Sequence, residues 1–229
     1  LTFTNKAARE MKDRIAKVIG DGEARNVWMG TFHSVFARIL RIESERINYP
    51  RNFTIYDTSD SRALIKDIVK GLGLDDKVYK AASVQSRISN AKNNLIDAKG
   101  YADNTDIMSE DTQAGRPRIH EVYRAYESRC FRAQAMDFDD LLFKMNVLLR
   151  DFPDLLLKYQ HKFQYILVDE YQDTNFSQYV IIKQLAALRE NLCVVGDDAQ
   201  SIYGFRGANI QNILNFKKDY PDFAMYKLE

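Results

Sequence analysis

The chain has 229 residues, of which 45% are hydrophobic and 28% are charged, a mixture typical of a soluble globular protein. Its 33 basic and 32 acidic residues leave a net charge of +1, so overall charge gives no support to nucleic-acid binding. No apolar run is long enough for a membrane helix, and no signal-peptide pattern occurs. Cys130 and Cys193 are too few for a disulfide framework or a zinc site. We interpret both as buried apolar residues and predict a cytoplasmic protein that does not contact a membrane.

The first part of the chain has the alternating pattern of an α/β fold. Residues 1–4 resemble the end of a buried strand, and Asn5 is predicted to cap the helix that follows, which Gly20 ends. Residues 27–29 form a second β-type run, followed by a turn at 30–34 and another helix. This order predicts a parallel sheet. Because the chain opens in what resembles the middle of a strand, we expect it to be an internal fragment of a longer protein.

The middle of the chain has almost wholly helical periodicity. Residues 103–117 are polar and contain a glycine and a proline, which predicts a long loop. We predict an all-helical subdomain at residues 57–135, inserted into an α/β domain made of residues 1–56 and 136–229. The helical prediction rests on three apolar stripes, which are Leu64, Ile65, Ile68, Val69 and Leu72; Val84, Ile88, Ala91 and Leu95; and Ile119, Val122, Tyr123, Tyr126 and Cys130.

The α/β pattern returns after residue 135. Asp137 is predicted to cap a helix, with Asp140 as a weak partner in a capping box. Residues 163–168 form an apolar strand that ends in acidic residues. Residues 192–195 form the next buried strand, and a helix lies between the two.

The strongest chemical signal is the strand that ends in Asp169 and Glu170. A buried strand with an Asp-Glu terminus has the form of a Walker B element, and ligands of open α/β sheets bind at that edge. Asp169 is predicted to hold Mg²⁺, with Glu170 beside it, because this hard cation prefers oxygen ligands. Glu170 is predicted to orient and deprotonate the water that attacks the γ-phosphate of ATP. A strand that simply ends in a solvated acidic turn would give the same short pattern.

Longer strings favour the first interpretation. Residues 169–175 read DEYQDTN and resemble motif II of the superfamily 1 helicases of the UvrD/PcrA/Rep group. In the same order as in that family, TFTNKAA at 2–8 resembles motif Ia, GTFHS at 30–34 motif Ib, and GDDAQSIYGFRGA at 196–208 motif III. The string MDFDDL at 136–141 is similar to a segment that precedes motif II. The resemblance covers essentially the whole chain and implies a RecA-like parallel sheet domain.

The resemblance assigns motif III to the coupling of ATP and DNA. It implies that Gln200 contacts the γ-phosphate, a role that suits an amide because it both donates and accepts hydrogen bonds. Tyr203 and Phe205 are expected to stack on the bases of single-stranded DNA, with Arg206 beside them. Most family members have tryptophan where Phe205 stands, so the stacking area is smaller here. For isolated aromatics, a core position would be the alternative interpretation.

Motifs Ia and Ib imply further DNA contacts, listed below. Both lie where a strand gives way to a helix, and N-terminal N–H groups of helices attract phosphate. Such contacts would position a DNA strand without reading its sequence. A capping or core role is the alternative for the histidine. The expected DNA-binding residues are Phe3, Thr4, Asn5, Thr31, His33 and Ser34.

The sequence contains no phosphate-binding loop of the form Gly-x-x-x-x-Gly-Lys-Ser/Thr. By resemblance, that loop precedes residue 1 and a second motor domain follows residue 229. By the same resemblance, the longer protein is expected to use ATP and Mg²⁺ to move 3′ to 5′ along single-stranded DNA and to open single-strand/duplex junctions. The fragment alone is expected to be inactive. Two alternatives remain: a helicase–nuclease motor of the RecB/AddA type and a catalytically inactive DNA-binding relative. Protein partners are not predicted.

Overall fold

The computed structural model describes residues 1–197, 212 and 215–227. The chain divides into two compact units. The terminal unit comprises Leu1–Val35 and Leu149–Glu229, and the central unit comprises Phe36–Leu148. Helices and two short parallel strand pairs together confirm a mixed α/β protein. The RecA-like sheet and the domain boundaries near residues 57 and 135 stay predictions.

The described helices and strands follow one another with short connections. Two 3₁₀ turns, Ser44–Ile47 and Tyr171–Asp173, complete the regular structure of the described residues. The strands are β1 (Thr54–Tyr56), β2 (Ala135–Asp137), β3 (Ile166–Val168) and β4 (Leu192–Val194). The helices are α1 (Asn5–Ile19), α2 (Asp21–Ala24), α3 (Phe32–Glu43), α4 (Thr58–Gly71), α5 (Ala81–Asn93), α6 (Ala98–Asp103), α7 (Thr105–Gln113), α8 (Ile119–Arg132), α9 (Phe138–Asp151), α10 (Pro153–Lys162), α11 (Phe176–Ala186) and α12 (Phe216–Asp219).

Parallel backbone hydrogen bonds cross the terminal unit from one segment to the next. β3 pairs in parallel with β4. On the other side of β3, the Leu1 nitrogen donates to the Leu167 carbonyl at 2.7 Å, and the Asp169 N–H donates to the Leu1 carbonyl at 3.0 Å. Thr2 then forms a parallel bridge with Thr31. Residues 1–2 therefore lie between β3 and the segment around Thr31.

The cap of α1 differs from the sequence prediction by one residue. Thr4, not Asn5, is the N-cap: its backbone is extended and its Oγ1 accepts a hydrogen bond from the Ala7 N–H at 3.1 Å. Asn5 is the first residue of the helix itself. Gly20 ends α1 as predicted, with a φ of +84° that favours glycine.

The predicted strand at residues 27–29 is wrong. These residues have no regular structure, and the bridge to Thr2 is made two residues later, at Thr31. The bonds that fix this register run from the Thr2 N–H to the Gly30 carbonyl and from the Phe32 N–H to the Thr2 carbonyl. The β-type side chains at 27–29 predict a strand there, but the backbone hydrogen bonds of Thr2 place the bridge at Thr31 instead.

The strands of the terminal unit are covered on one face only within the described residues. Ile166 and Val168 are buried, whereas Leu167, between them, is 63% exposed. Its partner across the pair, Cys193, is also exposed. Successive side chains of a strand point to opposite faces, so this alternation marks one packed face and one open face. The prediction of a buried strand therefore holds for only one face of β3. The prediction of a buried Cys193 is wrong, while the buried position of Cys130 is confirmed.

The helical prediction for the middle of the chain is confirmed by α4 to α8. Buried residues of these helices form one hydrophobic cluster that includes Ile65, Val84, Ile88 and Val122. The predicted long loop at 103–117 is wrong, because most of it is α7. That helix contributes only half-buried Ile107 and Met108 to the cluster, so it has little apolar periodicity to read.

A parallel strand pair stands at the two ends of this helical stretch. β1 pairs with β2 so that Thr54 lies opposite Ala135 and Tyr56 lies opposite Asp137. Along the chain, α4 therefore begins just after β1, and β2 begins just after α8. Neither three-residue strand was predicted, because segments this short carry no periodic signal.

Beside β2 lies a buried ionic cluster. Lys92 of α5 is 1% exposed, and its Nζ contacts Asp137 at 2.8 Å and Asp140 at 2.9 Å. The Tyr126 hydroxyl donates to the same Asp137 oxygen at 2.8 Å. Asp137 and Asp140 also exchange the two bonds of a capping box at the start of α9, as predicted.

The charges of this cluster depend on one another. Burial alone would lower the pKa of Lys92, but Asp137 and Asp140 outweigh it and hold that pKa well above its ordinary value. Burial likewise opposes ionisation of Asp137, yet Lys92 keeps its pKa below the usual range. Burial and the neighbouring Asp137 raise the pKa of Asp140. The buried ammonium group of Lys92 thus links α5 to β2 and α9 through the carboxylates of Asp137 and Asp140.

Candidate nucleotide and DNA site

In the terminal unit, each predicted motif segment follows a strand or bridge residue that is hydrogen-bonded to a neighbouring segment. Residues 3–5 follow Thr2, residues 32–34 follow Thr31, and Asp169 follows β3 directly. Residues 195–197 follow β4. Because these segments run in parallel, their carboxyl ends reach the same edge, where ligands of open α/β sheets bind.

Asp169 and Glu170 lie at the turn that ends β3. Asp169 is half-buried, and its backbone N–H is bonded to the Leu1 carbonyl. Glu170 is exposed and has a left-handed backbone, with φ 51° and ψ 43°. Such a conformation is uncommon for a glutamate and is concentrated at functional sites. Directly after it, the Tyr171 N–H donates to the Val195 carbonyl at 2.9 Å, which fixes the turn to the segment that follows β4.

Gln172 is a site residue that sequence reasoning missed. Its side chain is buried, with the residue 1% exposed. Its Nε2 donates to the Glu170 Oε2 at 2.8 Å, and its Oε1 accepts from the Asp197 N–H at 3.2 Å. A single amide therefore joins the acidic turn after β3 to the segment after β4. The available signal was its position, two residues beyond Glu170 inside motif II.

The rest of the 169–175 string builds the support of this turn. The Thr174 hydroxyl donates to the Tyr171 carbonyl at 2.7 Å, and the Asn212 amide donates to both oxygens of Thr174. Asn175 caps α11 in a capping box with Gln178. These buried polar contacts stabilise the turn that carries Asp169 and Glu170.

Asp173 is the third acidic residue of the string. Burial, and then the nearby Glu170, raise the pKa of its carboxyl. Within the described residues, no group of three or more His, Cys, Asp or Glu side chains comes together as a metal site. Mg²⁺ needs no such group, because it is usually bound by one or two carboxylates together with phosphate oxygens and water. Asp169 with Glu170 fits that arrangement.

The motif Ia residues surround the N-terminus of α1. The Phe3 ring packs on Phe32 with a centroid distance of 5.2 Å, so it is partly used in the fold. The Thr4 hydroxyl is engaged in the cap, although Thr4 and Asn5 are both exposed at the edge. This geometry leaves exposed polar groups and helix N–H groups at the place where phosphate contacts are predicted.

The motif Ib residues surround the N-terminus of α3 in a similar way. The buried Thr31 accepts from the Ser34 N–H at 3.2 Å, and the Ser34 hydroxyl donates to the Thr31 carbonyl at 2.9 Å. His33 is half-buried and Ser34 is exposed. A Cβ at Gly30 would lie 2.5 Å from the Ser34 Oγ, so a larger residue there would displace the Ser34 hydroxyl from its present position. Thr31 thus has a capping role in addition to its predicted contact with DNA.

The motif III predictions fall on another part of the chain. Gln200, Tyr203, Phe205 and Arg206 lie outside the described residues. Their roles therefore stay predictions, as do the DNA contacts of motifs Ia and Ib.

Comparison with known proteins agrees with the motifs. A family model described as the UvrD/REP helicase N-terminal domain matches residues 1–221. The chain belongs to this family. It is 48% identical, over all 229 residues, to a protein of Leuconostoc citreum named ATP-dependent DNA helicase PcrA. It is 49% identical over the same length to the protein of that name in Staphylococcus aureus strain Mu50.

This UvrD/REP-type chain spans 30% of the length of either of those relatives. The matched part contains all four motif segments named above, in order. Among the residues that the structure describes, every helix is too short or too polar to cross a lipid bilayer.

Proposed function

We propose that this chain is part of the first motor domain of an ATP-dependent DNA helicase, with a RecA-like sheet and a helical insertion at residues 57–135. The observation that carries the proposal is the edge at which Asp169 and Glu170 meet the ends of the motif Ia and Ib segments, in a chain of the UvrD/REP family. The names of the relatives support both ATP and DNA as ligands.

The proposed chemistry divides between two carboxylates. Asp169, at the end of a strand that packing holds in place, would bind Mg²⁺, which when present offsets the negative charge of the phosphates. The Glu170 carboxylate would accept a hydrogen bond from the attacking water and orient it towards the γ-phosphorus. It would take the proton of that water as the new P–O bond forms and the bond from the γ-phosphorus to the β–γ bridging oxygen breaks, releasing ADP. Gln200 would contact the γ-phosphate and report whether it is present.

DNA would run along the same edge. Exposed Asn5 and Ser34 and the N-termini of α1 and α3 would hold phosphates, and Tyr203 and Phe205 would stack on bases. Opening and closing of a cleft between this domain and a second motor domain would move the protein along one strand, 3′ to 5′, towards a duplex junction. The near-zero net charge fits a narrow DNA track better than a broad basic surface.

ATP turnover tests the proposal. The natural polypeptide that contains this chain should hydrolyse ATP faster when single-stranded DNA is added. Glu170→Gln keeps the size of the side chain but cannot accept the proton, and should lower kcat by about 100-fold or more. The isolated 229-residue chain should show no turnover. ATP hydrolysis that is equally fast in Glu170→Gln would contradict the assignment.

Titration with a fluorescent single-stranded oligonucleotide at low salt tests the DNA half. Tyr203→Ala and Phe205→Ala should each weaken binding by about 1–3 kcal/mol. DNA binding without any ATP turnover by the longer polypeptide would favour an inactive DNA-binding relative. DNA cleavage together with turnover would favour a helicase–nuclease of the RecB/AddA type.

A further inference from the structure

One buried amide connects the 169–175 string with the segment that follows β4. Gln172 belongs to the 169–175 string, and its two polar atoms reach in opposite directions. Nε2 donates to the carboxylate of Glu170 at 2.8 Å, and Oε1 accepts from the backbone of Asp197 at 3.2 Å. Asp197 is the second residue of the 196–208 string that runs on to Gln200.

The contacts require glutamine in particular. The group facing Glu170 must donate, because an ionised carboxylate only accepts, and the group facing the Asp197 N–H must accept. A glutamate at this position would place a second negative charge against Glu170. A methionine would fill the same space but could neither donate to Glu170 nor accept from the Asp197 N–H.

The orientation of the Glu170 side chain depends on this contact. Glu170 is exposed and lies on a turn with positive φ, so its side chain has room to rotate. The bond from Gln172 selects one orientation. Gln172 is itself buried in the 3₁₀ turn at Tyr171–Asp173, which the Thr174 and Asn212 contacts hold. A movement of the segment after β4 would therefore shift the Gln172 amide and change the direction in which the Glu170 carboxylate points.

We propose that Gln172 is a positioning residue that sets the orientation of the Glu170 carboxylate according to the conformation of the segment at 196–197. Residues 196–197 lead into the segment where the γ-phosphate and DNA contacts are predicted, so their position would decide whether the attacking water is correctly held. This inference rests on the proposed function of Glu170 as the base.

Steady-state ATP hydrolysis by the natural polypeptide that contains this chain provides the test, with wild type, Gln172→Met and Gln172→Glu. Both substitutions should lower kcat by about 10- to 100-fold, the usual effect of losing a group that orients a reacting residue. The KM for ATP should change by less than about threefold, because Gln172 is buried and both polar atoms of its amide are already bonded to Glu170 and Asp197. Stimulation by single-stranded DNA should fall as well.

The matched control is Gln160→Met. Gln160 is a half-buried amide of the terminal unit whose Nε2 donates to the Gln184 carbonyl at 2.8 Å, and neither residue belongs to a predicted motif. Its loss should leave kcat within about twofold of wild type. Thermal unfolding of each variant identifies any that fail to fold.

A double-mutant cycle separates positioning from simple structural support. If Gln172 acts through Glu170, adding Gln172→Met to Glu170→Gln should lower the remaining turnover by less than about twofold, since no carboxylate is left to orient. Additive effects, or a normal kcat in folded Gln172→Met, would overturn the inference while leaving the proposed function intact. Absence of ATP turnover in the wild type would instead remove the proposed function itself.

Discussion

Removal of the buried ammonium group at Lys92 should strongly destabilise the central unit. Lys92→Met fills much of the same space but leaves Asp137 and Asp140 buried beside each other without the ammonium group that contacts both. Removing one partner of a buried ion pair costs about 3–5 kcal/mol, because the remaining charge is uncompensated. Two carboxylates depend on this one lysine, so we expect a loss at the upper end of that range at pH 7.

The pH dependence of this loss is specific. The pKa of Lys92 is raised, so its contribution is complete below the unfolded value near 10.5 and would be lost only at higher pH. Between pH 5 and 8 the lysine therefore adds no pH dependence to the wild type. In Lys92→Met, however, protonation of a carboxylate relieves the buried charge, so the difference from wild type should shrink as the pH falls from 7 towards 4.

Urea unfolding followed by far-UV circular dichroism measures the effect, since the central unit is mostly helical. Asp137→Asn placed in the Lys92→Met background removes one of the two charges, keeps an oxygen for the Asp140 N–H, and should recover part of the loss. Lys66→Met, at an exposed position of α4, should change stability by less than about 0.5 kcal/mol. A loss below about 1 kcal/mol at pH 7, or an equal loss at pH 7 and pH 4.5, would refute the reasoning.

Three further predictions concern single residues. In the native 229-residue chain, a thiol reagent should label exposed Cys193 within minutes but not Cys130, since burial raises the pKa of Cys130 to about 12; equal labelling rates would contradict the described packing. Asn104→Ala should destabilise the chain by about 1 kcal/mol in urea, because Asn104 caps α7, whereas Asn104→Asp should keep most of the cap; equal losses would argue against α7. Glu127→Gln should stabilise the chain at pH 7, because burial raises the pKa of the Glu127 carboxyl and its ionisation lowers stability as the pH rises through that pKa. The gain in stability should vanish below about pH 4.5, where the carboxyl is protonated in both the folded and unfolded states. A gain that is independent of pH would refute burial of this carboxyl as the cause.

Long periodic helices and the acidic strand end could be read from the sequence. The stripes that begin at Leu64, Val84 and Ile119 became α4, α5 and α8, because each buries one face in a shared core. Capping chemistry was also legible, since Asp137 and Asp140 form the expected box. These features depend on neighbours within a few residues along the chain.

Features that depend on distant partners could not be read. α7 is held by its Asn104 cap and by the buried Asp111, which accepts a hydrogen bond from Tyr101, and none of these contacts produces apolar periodicity. Lys92 lies four residues after Ile88, on the buried side of α5, and only the fold shows that Asp137 meets it there.

The candidate site divides in the same way. The residue types of the 169–175 string pointed to Asp169 and Glu170, because a strand followed by two acids is a local pattern. The contact of Gln172 with the Asp197 backbone spans 25 positions and depends on the pairing of β3 with β4. Side-chain roles that rest on strand order become visible only once that order is known.

Strand separation by the natural polypeptide that contains this chain tests the central claim most directly. A fluorescently labelled duplex with a single-stranded 3′ tail should be opened in the presence of ATP and Mg²⁺, and a duplex with a 5′ tail should be opened poorly. Glu170→Gln should still bind the tailed duplex but should not open it. Duplex opening that needs no ATP, or that survives Glu170→Gln at the wild-type rate, would contradict a helicase motor built on this carboxylate pair.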